Sequence, residues 1–148
     1  MKSHVENCVV NSNVKDVFEI VADIESYPDF LPWCIGAKIT DTISFEHGEK
    51  SKADLTIAFG RFTESFSSDI VFNKDNLTIE ICSLENPFKI LNGKWTFRKI
   101  AEGCKVNFEI TFEFKSVILD KLIGLVFYQA IKKVVRSFQK RIIDLRRE

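Results

Sequence analysis

Between Ser116 and Arg147 the apolar residues Leu119, Leu122, Ile123, Val126, Phe127, Ala130, Ile131, Val134, Phe138, Ile142 and Leu145 recur at steps of three and four. That spacing gathers side chains on one stripe of an α-helix. A helix of this length spans on the order of 45 Å, so the preceding chain must build a surface or a trough for it. Ile118, Leu125 and Tyr128 add apolar surface on other sides of its first half, more than one core-facing stripe requires. Asp120 and Lys121 interrupt the apolar run and Lys132 and Lys133 close it, well short of the ~20 residues needed to span a bilayer. Such a helix can rest on a membrane but not cross it.

The chain before it reads as short elements. Val5 to Val10 predicts a strand, and Ser12 or Asn13 supplies an oxygen to cap a helix that starts near Val14 and ends near Asp23. Val14, Val17, Phe18, Val21 and Ile24 share a face of that helix. Pro28 and Pro32 then allow at most one further helical turn. From Ile35 the period changes to two, with Ile35, Ala37, Ile39 and Ile43 on one face, followed by Ala53, Leu55, Ile57 and Phe59. The next strand sets Phe62, Glu64, Phe66, Ser68, Ile70 and Phe72 on a common side. Further strands carry Leu77, Ile79 and Ile81; Leu91, Gly93, Trp95 and Phe97; and Cys104, Val106, Phe108, Ile110, Phe112 and Phe114.

Short turns between these strands imply antiparallel neighbours. The expected fold is therefore α+β, a curved antiparallel sheet of about seven strands around a long C-terminal helix, with one or two short helices after the first strand. No repeat, linker or low-complexity segment divides the chain, so residues 1–148 are expected to form a single domain. The N-terminus has no signal-like apolar run, and the four scattered cysteines, Cys8, Cys34, Cys82 and Cys104, form no C-x-x-C pair. These features predict a cytoplasmic protein with buried thiols, its peripheral membrane contact being at the inner face. A net formal charge of zero gives no general attraction to nucleic acid, and no DNA partner is expected.

Catalytic patterns are sparse. His4 falls at the start of a strand and His47 in a turn, and no metal-ligand cluster or phosphate-binding glycine motif is present. Glu64 is the unusual polar residue: on a largely phenylalanine face it is either a carboxyl in a cavity, with its pKa raised, or a strand-end residue in solvent. The 14 phenylalanines fit a filled aromatic core or an apolar cavity beneath the helix, and periodicity does not separate the two. The last helix ends in a cationic run, Lys132, Lys133, Arg136, Lys140, Arg141, Arg146 and Arg147, matched to the helix dipole or directed at anionic lipid or ribosomal RNA.

Tyr27-Pro28-Asp29-Phe30-Leu31-Pro32-Trp33-Cys34, placed between a short helix and a strand, resembles the hallmark of the coenzyme Q-binding START-like proteins and the bacterial RatA ribosome-association toxins. The likeness continues through Pro87-Phe88, Leu91-Asn92-Gly93-Lys94-Trp95-Thr96-Phe97, Cys104-Lys105-Val106, Phe112-Glu113-Phe114-Lys115-Ser116 and Val126-Phe127. It implies a helix-grip fold and a non-enzymatic protein that binds ubiquinone or a similar isoprenoid quinone as ligand, requires no cofactor or metal, and supports respiration. For a bacterial subset it implies a ribosome partner. A cyclase or aromatase role, with Glu64 as acid or base, is the remaining reading. On this basis Phe30, Leu31 and Trp33 are expected to form one wall or the mouth of the cavity, and Phe59, Phe66, Trp95, Phe108 and Phe112 its sheet side. Leu122, Val126, Phe127 and Ala130 are expected to close it, with Glu64 or Ser68 meeting a ligand carbonyl. Lys132, Lys133, Arg136 and Lys140 form the expected basic surface patch.

Overall fold

The computed structural model of the chain describes residues 2–146. Strand β1 (Lys2–Val10) leads into α1 (Val14–Ala22) and a 3-10 helix (Ile24–Asp29). Six strands follow: β2 (Cys34–Phe45), β3 (Gly48–Phe59), β4 (Phe62–Asn73), β5 (Thr78–Ser83), β6 (Phe88–Ile100) and β7 (Gly103–Phe114). Two helices, α2 (Val117–Gly124) and α3 (Phe127–Arg146), complete the described chain. The strands form one antiparallel sheet in the order β1-β7-β6-β5-β4-β3-β2. Hairpins explain every neighbour except β1, which returns to pair with β7 from Lys2↔Phe112 to Val10↔Cys104. The α+β helix-grip architecture expected from the sequence is the one observed.

α1 forms where the side chain of Asn13 accepts a hydrogen bond from the Lys15 amide at 2.9 Å, satisfying one of the unpaired donors of the first turn. It buries Val17, Phe18 and Val21, and Phe18 meets Phe97 edge-on with ring centroids 5.6 Å apart. This end of the core is filled. Ile142 from α3 and Val106 and Cys104 from β7 are also fully buried members of the core.

The single C-terminal helix expected from the sequence is two. At the junction the Val126 amide bonds to the Ile123 carbonyl at 3.1 Å, a tightened i to i−3 step, before α-helical bonding resumes with Ala130 to Val126 at 2.9 Å. Gly124 sits so close to β1 that an added Cβ would lie 2.7 Å from the Lys2 Cε, and glycine is a common cause of such kinks. The apolar period continues through the break, which is why spacing alone does not reveal it. The buried row of α3 is Phe127, Ile131, Val135, Phe138 and Ile142; Val135 joins the expected stripe, and Val134 packs half-buried against the core as expected. Of the basic end expected at the terminus, the side chains of Arg146, Arg147 and Glu148 lie outside the described residues.

Two register irregularities in β2, between Cys34 and Gly36 and between Ile39 and Asp41, correct the simple alternation expected there. Each extra residue flips the faces that follow. Ala37 and Ile39 pack against the core, whereas Ile35 and Ile43 point outward at 59% and 62% exposure. Cys82 is exposed rather than buried.

α2 is held by its first turn. Ser116 accepts from the Leu119 amide at 3.2 Å, and Asp120 accepts from the Phe114 amide at 3.1 Å and from Lys2 Nζ at 2.6 Å. Partial burial alone would raise the Asp120 carboxyl, but the Lys2 and Phe114 hydrogen bonds outweigh it and hold the pKa below the usual carboxylate value. A depressed folded-state pKa adds stability above the unfolded value, and that stability is lost as pH falls through the folded one. Asp120→Asn is expected to cost about 1 kcal/mol in urea unfolding at neutral pH. The gap between variant and wild type should close as the pH drops below about 4.

Candidate functional site

Between the concave face of the sheet and α3 lies a cavity of about 280 Å3. Its floor comes from β6 and β7: Phe88, Leu91 and Trp95 on one strand, with a register shift between Phe88 and Ile90, and the strictly alternating Phe108, Ile110, Phe112 and Phe114 on the other. Trp95 stacks on Phe108 at 4.3 Å and meets Phe138 of α3 edge-on at 4.7 Å. Phe112 meets Phe127 at 4.8 Å, and Phe88 stacks on Phe114 at 4.9 Å. The two aromatic groups hold the sheet and helix apart at either end, and the space between them is the cavity.

The 3-10 helix and the turn after it supply one side through Tyr27, Leu31, Pro32, Trp33 and Cys34. Tyr27 is 5% exposed, and its hydroxyl donates to the Val21 carbonyl, so its polar end is consumed inside the protein. Burial pushes the Tyr27 phenol far above its ordinary range, which leaves it neutral. Trp33 takes a left-handed backbone, φ 66°, a strained choice for a bulky residue. This conformation sets its ring beside Phe59 at 5.6 Å and beneath Lys133 Nζ at 5.7 Å.

Nine of the sequence-predicted residues stand in the cavity wall: Leu31, Trp33, Phe59, Trp95, Phe108, Phe112, Val126, Phe127 and Ala130. Five do not. Phe30 turns away, packing on Phe138 at 5.1 Å beneath the guanidinium of Arg141 at 5.2 Å. Phe66 packs behind the wall on Phe88 at 4.8 Å. Leu122 is on the outer side of α2, 45% exposed. Glu64 is exposed because β4 begins beyond the edge of the core; it lines only a side recess of about 30 Å3 shared with Phe59, Phe62, Leu119 and Ile123. Ser68 is 2% exposed, its Oγ has no hydrogen-bond partner, and it lies outside the wall. Neither polar residue expected to meet a ligand carbonyl reaches the cavity.

Cys34, Ile57, Ile81 and Val134 are among the wall residues not predicted as part of the site, although the sequence places Ile57, Ile81 and Val134 on inward faces. Cys34 would have been legible only with knowledge of the bulge beside it. Burial pushes the Cys34 thiol up, and burial with Cys104 and Glu6 nearby pushes Cys8 up to about 11; neither is a ready thiolate. His47 pairs with Asp75 at 2.5 Å in an exposed turn, and His4 pairs with Glu6 at 2.8 Å; neither lines the cavity. Lys132, Lys133, Arg136 and Lys140 are all exposed along α3. Among the described residues, no cluster of three potential metal ligands occurs, and no helix is long and apolar enough to cross a membrane.

A bent antiparallel sheet gripping a C-terminal helix over an apolar cavity defines the helix-grip class of binding folds. Residues 10–139 match the family described as polyketide cyclase / dehydrase and lipid transport, and the chain belongs to that family. It is 36% identical over 130 residues to the ribosome association toxin RatA of Rickettsia prowazekii, covering 86% of each chain. It is 28% identical to the mitochondrial coenzyme Q-binding protein COQ10 homolog B of Xenopus laevis, covering 92% of this chain but 56% of that protein. Among solved structures it is similar to the 18 kDa protein CC1736 from Caulobacter crescentus, with a TM-score of 0.83, 29% identity and full coverage of both chains.

Proposed function

We propose that this protein binds, without catalysing a reaction, ubiquinone or a related polyprenyl lipid, and serves as its carrier or chaperone. The observation that carries this reading is the cavity itself, about 280 Å3 lined by aliphatic and aromatic side chains. Its only other wall groups are a thiol, two indoles and a phenol whose hydroxyl is already engaged. The wall offers almost no polar partner to water, so an apolar occupant would displace weakly held water and bury apolar surface. A chain retaining so large a void is best explained by an apolar occupant. The size is near the lower end of small-molecule pockets, roughly 300–1,000 Å3. It suits a ring or a stretch of tail rather than an entire long polyprenyl chain.

The likeness to the coenzyme Q-binding protein COQ10 homolog B supports the quinone, and the wall chemistry supports an enzyme-free role. With Glu64 in solvent, the cyclase reading has no acid or base in the cavity. The ligand's carbonyls would meet few polar partners, so affinity would come from apolar burial, at ~25 cal/mol per Å2.

A second reading is ribosome association, supported by the relatives named RatA and by the exposed row Lys132, Lys133, Arg136 and Lys140. It predicts salt-sensitive cosedimentation with a ribosomal subunit, lost when these four are changed to Glu; no cosedimentation at low salt would exclude it.

The quinone reading is tested by titrating ubiquinone against the fluorescence of Trp33 and Trp95, both in the wall. Ala130→Phe, which fills the cavity from α3, is expected to weaken binding about tenfold or more while leaving the melting temperature unchanged or higher. Unaltered affinity in that variant would contradict the assignment.

A further inference from the structure

We propose that the end of the molecule carrying the α2–α3 break docks by inserting its apolar tips into an anionic lipid surface, bringing the cavity wall at Val126 against the bilayer. The proposal takes its purpose from the lipid-binding reading above, but its test does not depend on that reading.

α2 is poorly explained as a core element. Five of its eight residues are Val, Ile or Leu, yet Leu119 alone is buried. Val117, Ile118 and Leu122 are 69%, 72% and 45% exposed, and Leu125 at the break is 79% exposed. The exposed apolar surface continues onto a second element. Phe62, which opens β4 just after the β3–β4 turn, is 39% exposed and shares with Leu119 and Ile123 of α2 the recess of about 30 Å3. Two separate tips therefore present large apolar side chains at one end of the protein, beyond what scattered surface residues account for. This end is also where the cavity wall reaches the surface: Ile57, Phe59 and Ile123 line both the cavity and the recess, and Val126 is 36% exposed.

Charge identifies the occupant. Residues 59–64 and 115–133 carry Arg61, Lys115, Lys121, Lys132 and Lys133 against two acids, Glu64 and Asp120. Asp120 is turned onto Lys2 at 2.6 Å, so the segments that carry the apolar tips have an excess of cations although the whole chain is neutral. Apolar tips on segments rich in lysine and arginine match the boundary between acyl chains and anionic headgroups. A folded RNA surface would meet the cations but leave Leu125 and Ile118 with no apolar partner.

Flotation of the full chain with vesicles tests this, comparing equal parts phosphatidylcholine and phosphatidylglycerol with phosphatidylcholine alone. The wild type is expected to float with the mixed vesicles, less with the neutral ones, and less in both cases as salt rises. Ile118→Glu and Leu125→Glu, at positions too exposed to affect folding, should each reduce flotation roughly tenfold or more while keeping wild-type circular dichroism and ubiquinone binding in detergent micelles. No flotation of the wild type, equal flotation on both vesicles, or wild-type flotation of both variants overturns the proposal. So does a wild type that stays with ribosomal subunits in the presence of mixed vesicles and loses them on Leu125→Glu. A protein that binds ubiquinone in micelles but never floats retains the ligand reading and loses the docking; one that floats but ignores ubiquinone does the reverse.

Discussion

Everything in this fold depends on how α3 buries one apolar row against a sheet that curves around it without closing onto it. Phe127, Ile131, Val135, Phe138 and Ile142 are each at most 7% exposed, and full burial of such side chains contributes roughly 1.5–3 kcal/mol apiece. That burial requires β1 to cross back and pair with β7, because only a sheet bounded by β1 on one side and β2 on the other encloses the helix. The Gln139 amide donating to the Val9 carbonyl at 3.2 Å fastens α3 to that returning strand.

The same constraint produces the cavity. Where α1 packs, Phe18, Val17 and Ile142 are fully buried. Along the rest of α3, rigid aromatic pairs at either end of the cavity, Trp95 with Phe138 and Phe112 with Phe127, act as spacers. Flexible side chains could collapse into the gap, whereas rings already packed against each other cannot. Stability is thus concentrated at one end of the molecule and binding capacity at the other.

Most of the architecture was legible because strand and helix periods in this chain are clean. β7 alternates from Cys104 to Phe114 without error, and the wall residues Phe108 and Phe112 follow directly from that alternation, as Trp95 follows from its place opposite Phe108 on β6. What sequence reasoning missed had specific causes. The β2 bulges change which residues face inward, hiding Cys34 and misplacing Ile35 and Ile43. The helix break keeps the apolar period while turning Leu122 to solvent. Glu64 shares the parity of Phe66 and Ile70, but it lies beyond the point where the helix covers the sheet. A period tells which face a side chain shares, not where along the strand the core ends.

The central claim is that the space beneath α3 is kept for an apolar lipid. Native mass spectrometry of the protein purified without detergent, with identification of whatever lipid accompanies it, tests this most directly. The account predicts a copurifying polyprenyl quinone or other isoprenoid lipid, displaced when Ala130→Phe fills the cavity. A protein that repeatedly emerges free of any such lipid, and takes up none when ubiquinone is added, would contradict it.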